Sequence, residues 1–104
     1  MNRYERFLSE HAGSITLRQI ESLSKHAEQS GRLWILGRAL VSVWSFETGN
    51  QLANHAVISV LVRSGLRREV FDLVSNSSFP GKQGCLLRLK QLFPLDVDRA
   101  DIES

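Results

Sequence analysis

Apolar residues recur along this chain at helical spacing, and short glycine or polar clusters interrupt them. Positions three and four apart share one face of a helix, so each interrupted stripe predicts one amphipathic helix. The stripe over residues 4–8 predicts a short first helix. A second helix is predicted to begin after Thr16, where Thr16 and Gln19 fit a capping box. It should end at Ser30-Gly31, because glycine readily adopts the left-handed conformation of a C-cap.

The run from Leu33 to Phe46 is apolar nearly all round. A helix of this composition is usually buried on several sides, so we predict that it is the central element of the fold. Gly37 weakens a helix by about 1 kcal/mol relative to alanine, which indicates that another backbone comes close at this point. Trp34 and Trp44 lie ten positions apart and therefore should face different sides. One would belong to the core, and the other would be free to anchor a partner.

Three further helices are predicted on the same grounds, at about 51–63, 66–74 and 83–93. Residues 57–62 alone also fit a strand, although the neighbouring glutamine, alanine and asparagine residues favour a helix. Pro94 cannot continue the last helix. The fold class is therefore all-α, a small irregular bundle of five or six short helices around the apolar helix at about 33–46. We expect residues 1–95 to form one helical domain and residues 96–104 an acidic, loosely ordered tail.

Length and composition narrow the class of protein. A chain of 104 residues with 42% hydrophobic residues suits one globular domain and is too short for two. Its single cysteine excludes an internal disulfide and a zinc site built from cysteines. The first ten residues contain no continuous apolar segment of a signal peptide. The longest apolar run is shorter than the about 20 residues that cross a bilayer. We therefore expect a soluble, cytoplasmic protein.

Residues that could carry out chemistry are few and scattered. The three histidines, His11, His26 and His55, have no neighbour at the spacing of metal ligands, so we predict neither a metal nor a cofactor. Cys85 follows a predicted helix start close to Lys82, an arrangement that lowers the pKa of a thiol. A catalytic cysteine would still need a histidine base supplied by the fold. A small core residue is the favoured interpretation of Cys85, and we predict that the protein is not an enzyme.

Charge is distributed unevenly, although the net charge is only +2. Residues 50–95 contain six basic and two acidic residues, whereas the last nine residues are mainly acidic. Arg63, Arg67 and Arg68 flank one predicted turn and would form a basic corner, which Arg88 and Lys90 would extend if the last helix packs alongside. Such a corner suits phosphates or an acidic protein surface. The alternative is a solvated face that the acidic tail screens.

Residues 54–74 resemble one helical hairpin of the pentatricopeptide family. The residues that carry the resemblance are Val57-Ile58, Leu61, Gly65, Glu69-Val70 and Leu73. That family binds single-stranded RNA through Asn, Ser or Thr early in the first helix of each repeat. Here His55 occupies that position, and Val70 replaces the usual small alanine. The resemblance therefore implies two helices that meet at a glycine turn, and we carry no RNA function over from it.

These observations predict a non-enzymatic protein-binding module, such as an adaptor, a regulatory subunit or a small inhibitor, that occludes or bridges a macromolecular partner. Homodimerisation would also bury part of the large apolar surface. The alternative is RNA or DNA binding through the basic corner. Aromatic and arginine residues dominate binding hot spots, and the candidate partner-binding residues are Arg63, Arg67, Arg68, Arg88, Lys90, Trp34 and Trp44.

Overall fold

Six helices and no strand occur in the computed structural model, which describes residues 2–48 and 50–93. The all-α prediction is confirmed for this part of the chain, and the strand alternative for residues 57–62 is wrong. The predicted acidic tail at 96–104 lies outside the described residues. The helices are α1 (Arg3–Glu10), α2 (Leu17–Gln29), α3 (Leu33–Val43), α4 (Gln51–Arg63), α5 (Arg67–Asn76) and α6 (Lys82–Leu92).

The start of α2 is the predicted capping box. The Thr16 hydroxyl accepts a hydrogen bond from the Gln19 backbone N–H at 3.2 Å, and the Gln19 side-chain oxygen accepts one from the Thr16 N–H at 2.8 Å. Two backbone donors that the helix leaves without partners are satisfied in this way.

Helices α2 and α4 both end in a glycine C-cap. Gly31 and Gly65 adopt positive φ values of 68° and 78°. In each case the following residue donates its N–H to the carbonyl five positions earlier, as in a Schellman motif. A side chain at either position would be strained, because residues with a Cβ atom rarely adopt a positive φ. Both turns are short, so the helices that they join remain close in space.

Helix α3 is the central element, as the sequence predicted. It packs against α1, α2, α4 and α5. Its side chains Leu36, Ala39 and Leu40 are completely buried. Around them lie core residues from every other helix, including Leu8, Ile20, Val57, Leu61, Val70 and Leu89. No helix in the described part of the chain is long and apolar enough to span a bilayer.

Helix α3 ends earlier than the sequence predicted, at Val43 rather than Phe46. Trp44 is already extended, with φ −70° and ψ 135°. Phe46 is buried although it lies in the loop, and its ring stacks on Phe79 with the centroids 5.4 Å apart. The apolar run was a correct signal of burial. The last part of the run enters the core from a loop, so it does not extend the helix.

The buried side chain of Asn54 explains this early end. Its Oδ1 atom accepts a hydrogen bond from the Trp44 indole N–H at 3.0 Å, and its Nδ2 atom donates to the Phe46 carbonyl at 3.1 Å. Asn54 lies one turn into α4, so these two bonds attach the loop to the helix that follows it. We call this arrangement the Asn54 bridge. It satisfies polar groups that burial would otherwise leave unpaired.

Gly37 permits a close contact, as predicted, although the group that approaches is a side chain rather than a backbone. A Cβ atom at Gly37 would lie 2.6 Å from the Ser64 Oγ atom and 2.8 Å from its Cβ atom. The Ser64 hydroxyl donates to the Val60 carbonyl at 2.7 Å, which holds the side chain in this position. The contact places the α4–α5 turn directly against α3.

The boundaries of α5 and α6 differ slightly from the prediction. Helix α5 continues to Asn76 instead of ending at Val74. Helix α6 begins at Lys82, whose ammonium group donates to the Ser75 carbonyl at 2.7 Å. Lys82 therefore closes the α5–α6 loop across its own ends. Both boundaries differ from the prediction by one or two residues, which is the usual uncertainty of helix ends.

Replacement of Asn54 with alanine is expected to destabilise the protein by about 2–4 kcal/mol, because two polar groups lose their partners in a buried site. Asn76→Ala is the matched control, since Asn76 is exposed and such surface changes stay within about 0.5 kcal/mol. Chemical denaturation of both variants measures the difference. Equal stability of the two variants would show that the Asn54 bridge contributes little.

Replacement of Gly37 with alanine is expected to destabilise the fold by about 1–3 kcal/mol, since the added methyl group overlaps Ser64. Gly84→Ala in α6 is the control, because a Cβ atom there meets nothing within 4 Å. That change should be neutral or stabilising by up to about 1 kcal/mol through helix propensity. Thermal unfolding of the two variants separates packing from propensity, and an equal response of both would contradict the close contact.

Candidate functional site

Trp34 is exposed on the central helix. Its relative accessibility is 62%, although α3 supplies three completely buried side chains to the core. Arg38 and Ser42 follow it at intervals of four residues and are exposed as well, so the three side chains share one face of α3. We call this face the α3 stripe. It presents one large aromatic ring and one cation to solvent, on an element that the core holds on its other sides.

Trp44 has a different environment. It is half-buried, and its indole N–H is engaged by Asn54. A buried indole needs such a partner for its N–H group. The structure therefore places Trp44 in the support of the α3–α4 loop. Of the two tryptophans that the sequence singled out, Trp34 is the one that presents most of its surface to solvent.

Arg63 turns towards α2. Its guanidinium group forms an ion pair with Glu28 and donates a hydrogen bond to the Ser24 hydroxyl at 2.6 Å. The side chains of Arg63 and Glu28 are 42% and 45% exposed, so the pair contributes at most about 1 kcal/mol to stability. Its main consequence is electrostatic, because Glu28 neutralises a charge that the sequence had assigned to a basic corner.

Arg67 and Arg68 lie on the other side of the turn. The guanidinium carbon of Arg67 lies 4.9 Å from the centroid of the Phe93 ring, at the end of α6. Arg68 is exposed. Arg63 and Arg67 therefore contact different elements, one on α2 and one at the end of α6. The turn between them was predicted, but the sequence did not reveal that the two arginines contact different partners, Glu28 and Phe93. Lys90 is exposed on α6.

Arg88 joins Arg63 in a groove between α2, α4 and α6. The groove has a volume of about 450 Å³, and its lining includes His55, Arg63 and Arg88 together with Glu21 and Glu28. Its walls thus carry two carboxylates together with three cationic side chains, of which Lys25 is the third. Mixed charge of this kind attracts a polyanion weakly, because each phosphate would meet acidic as well as basic groups.

Cys85 and His55 are brought together by the fold. The Cys85 thiol is 4% exposed, and its Sγ atom lies 3.9 Å from the Nδ1 atom of His55. Burial raises the pKa of Cys85, and the nearby charge of Arg88 lowers it by a smaller amount. The thiol is therefore protonated at neutral pH, which disfavours nucleophilic attack. The sequence could not reveal this pair, because its members lie thirty positions apart on different helices.

A second groove, between α1 and α2, was not anticipated from the sequence. It has a volume of about 480 Å³ and is lined by Arg3, Tyr4, Phe7, Arg18, Leu23 and His26, together with two polar residues of α2. Phe7 and Leu23 remain half-exposed. The apolar stripes of both helices were visible in the sequence. Their separation across a groove depends on how each helix packs on α3.

Comparison with known proteins shows that no family model, no curated protein and no solved structure matches the chain.

Iodoacetamide is expected to label Cys85 more slowly in the folded chain than in the urea-unfolded chain near neutral pH. The reason is that the raised pKa reduces the thiolate fraction and burial limits access. The labelling rate should increase as the pH rises towards the pKa. Arg88→Gln should slow labelling further, because it removes the charge that opposes the effect of burial. Labelling of the folded chain that is faster than that of free cysteine would contradict this assignment and indicate an activated thiol.

Proposed function

We propose that the protein is a non-enzymatic protein-binding module that occludes or bridges a macromolecular partner, as an adaptor, a regulatory subunit or a small inhibitor would. The observation that carries the proposal is the exposure of Trp34, at 62% of its surface, on a helix whose other sides are packed. Trp34 is the proposed centre of the contact surface, with Arg38 beside it on the α3 stripe.

The energetics of an exposed indole support a role in binding. Covering what remains exposed of such a ring removes on the order of 100 Å² of apolar surface, which corresponds to about 2–4 kcal/mol. Tryptophan and arginine are the residue types most enriched at binding hot spots, and leucine is under-represented there. Leu52, Leu87 and Leu92 are also exposed, on α4 and α6. Each of these side chains is smaller than that of tryptophan and has no aromatic ring.

The rigidity of the α3 stripe is a second supporting feature. Helix α3 is held by four neighbouring helices and by the contact at Gly37. Trp34 has only two rotatable side-chain bonds, so little conformational entropy is lost when it is covered by a partner. A preorganised aromatic anchor of this kind binds more tightly than a flexible one.

The charged groups suit a protein partner better than a nucleic acid. Arg63 is paired with Glu28, Arg67 lies over Phe93, and the groove that contains Arg88 includes two carboxylates. Arg38 and Arg68 are exposed and are the proposed steering charges. The raised pKa of the buried Cys85 thiol supports the non-enzymatic part of the proposal, because it lowers the fraction of the reactive thiolate.

Replacement of Trp34 with alanine is expected to weaken partner binding by about 2 kcal/mol, roughly thirtyfold in Kd, with little effect on unfolding. The partner is first recovered with the wild-type chain and identified by mass spectrometry, and its affinity for each variant is then measured by calorimetry with purified proteins.

Leu52→Ala is the matched control, because Leu52 is 66% exposed on a different helix and should leave the affinity unchanged. A Trp34→Ala variant that binds the purified partner like the wild type would overturn the role given to Trp34. Recovery of nucleic acid in place of a protein would overturn the protein-binding proposal.

A further inference from the structure

The groove between α1 and α2 has the composition of a peptide-binding groove. Tyr4, Phe7 and Leu23 provide an apolar interior, and its volume of about 480 Å³ lies within the range of ligand-binding clefts, about 300–1,000 Å³. Phe7 and Leu23 are only half-buried. The core covers only part of these two side chains, and a ligand would cover the apolar surface that is left exposed.

Positive charge surrounds this apolar interior. Arg3 lies on the α1 side of the groove, and Arg18 lies on the α2 side. Neither of these arginines forms a salt bridge within the part of the chain that the structure describes. None of the residues that line the groove is acidic, although α1 and α2 contain four glutamates at other positions. The groove therefore differs in charge from the α2–α4–α6 groove, where Arg63 is neutralised by Glu28.

The walls of the groove are preorganised. The ring of Phe7 contacts the ring of His11, with the two centroids 4.6 Å apart. His11, at the end of α1, thus supports the Phe7 ring. Helix α2 is fixed at its start by the Thr16 capping box and packs on α3 and α4. Helix α1 has eight residues and is therefore about 12 Å long, which matches about two turns of an opposing helix.

From these observations we infer that the α1–α2 groove binds an acidic amphipathic helical segment of a partner protein. The apolar side chains of the segment enter between Phe7 and Leu23, and its carboxylates pair with Arg3 and Arg18. This mode of recognition places the apolar face of a helix in a hydrophobic groove, with charges at the edge that select the partner. The inference rests on the proposed protein-binding function and assigns it a second surface, distinct from Trp34, as a bridging protein requires.

The test uses the full chain and a synthetic probe. The probe is a labelled amphipathic peptide of about four helical turns, with leucines at helical spacing and glutamates elsewhere. A second peptide has lysine at every glutamate position, and a single-stranded RNA oligonucleotide is the third ligand. We expect the acidic peptide to shift the backbone amide resonances of α1 and α2, and the lysine peptide to bind at least about tenfold more weakly.

Charge-reversal variants show whether the groove itself is responsible. Arg3→Glu combined with Arg18→Glu is expected to weaken binding of the acidic peptide by about tenfold or more. Arg6→Glu combined with Lys25→Glu is the matched control. It changes the net charge equally on the same two helices, at positions that do not line this groove, and should change affinity by less than about threefold.

A second pair of variants tests the groove by steric blockage and does not change its charge. Ser22 lines the groove and Ser9 does not, and both are exposed. Ser22→Trp should block peptide binding, whereas Ser9→Trp should leave it intact. Because both positions are exposed, circular dichroism is expected to show the same helix content for both variants.

Several outcomes would overturn the inference. These are equal binding of the acidic and lysine peptides, resonance shifts confined to other helices, preferential binding of the RNA, or a wild-type homodimer that dissociates in Ser22→Trp. A several-fold gain in peptide affinity when Asp96, Asp98, Asp101 and Glu103 are all replaced by their amides would assign the groove to the chain's own C-terminal residues instead.

The same variants distinguish this inference from the proposed function. If Trp34→Ala weakens binding of the natural partner while Ser22→Trp has no effect on the partner or the peptide, the groove inference is wrong and the proposed function stands. If Ser22→Trp weakens binding of both the natural partner and the peptide, and Trp34→Ala weakens neither interaction, the groove is the binding surface and the role given to Trp34 is wrong.

Discussion

The two hydrogen bonds of Asn54 hold together the part of the fold on which the remaining architecture depends. The segment between α3 and α4 must reverse the chain while its tryptophan and phenylalanine lie partly or wholly inside the protein. A buried loop exposes backbone polar groups that water cannot reach. Asn54 meets this requirement from the next helix, by accepting from the Trp44 indole and donating to the Phe46 carbonyl.

This arrangement also positions the second half of the bundle. With Phe46 held inward, its ring stacks on Phe79 and brings the α5–α6 loop against the α3–α4 loop. The Ser78 backbone N–H then lies 3.4 Å from a carboxylate oxygen of Glu47. On the other side of α3, the absence of a side chain at Gly37 admits Ser64 and the α4–α5 turn. Helix α3 is thus contacted by the α4–α5 turn as well as by its neighbouring helices.

The same enclosure determines which apolar surfaces stay exposed. Because α1, α2, α4 and α5 occupy the other sides of α3, its outward stripe carries the exposed tryptophan. Because α1 and α2 each pack on α3, a groove with a basic edge remains between them. The exposed tryptophan and this groove are the two surfaces that we propose for the recognition of other proteins. Cys85 is part of the buried core, and burial raises the pKa of its thiol.

The sequence by itself determined the helices, because the spacing of apolar residues, the Thr16 capping box and the glycine turns are local properties of the chain. It also identified the 33–46 run as the centre of the fold, since a helix that is apolar over most of its surface is usually buried on several sides. Tertiary structure alone decided that this helix ends at Val43, that Trp34 faces outward, that Arg63 pairs with Glu28, and that Cys85 meets His55. Each of these depends on residues distant in sequence, whose hydrogen bonds, charges and volumes act only once the helices have packed.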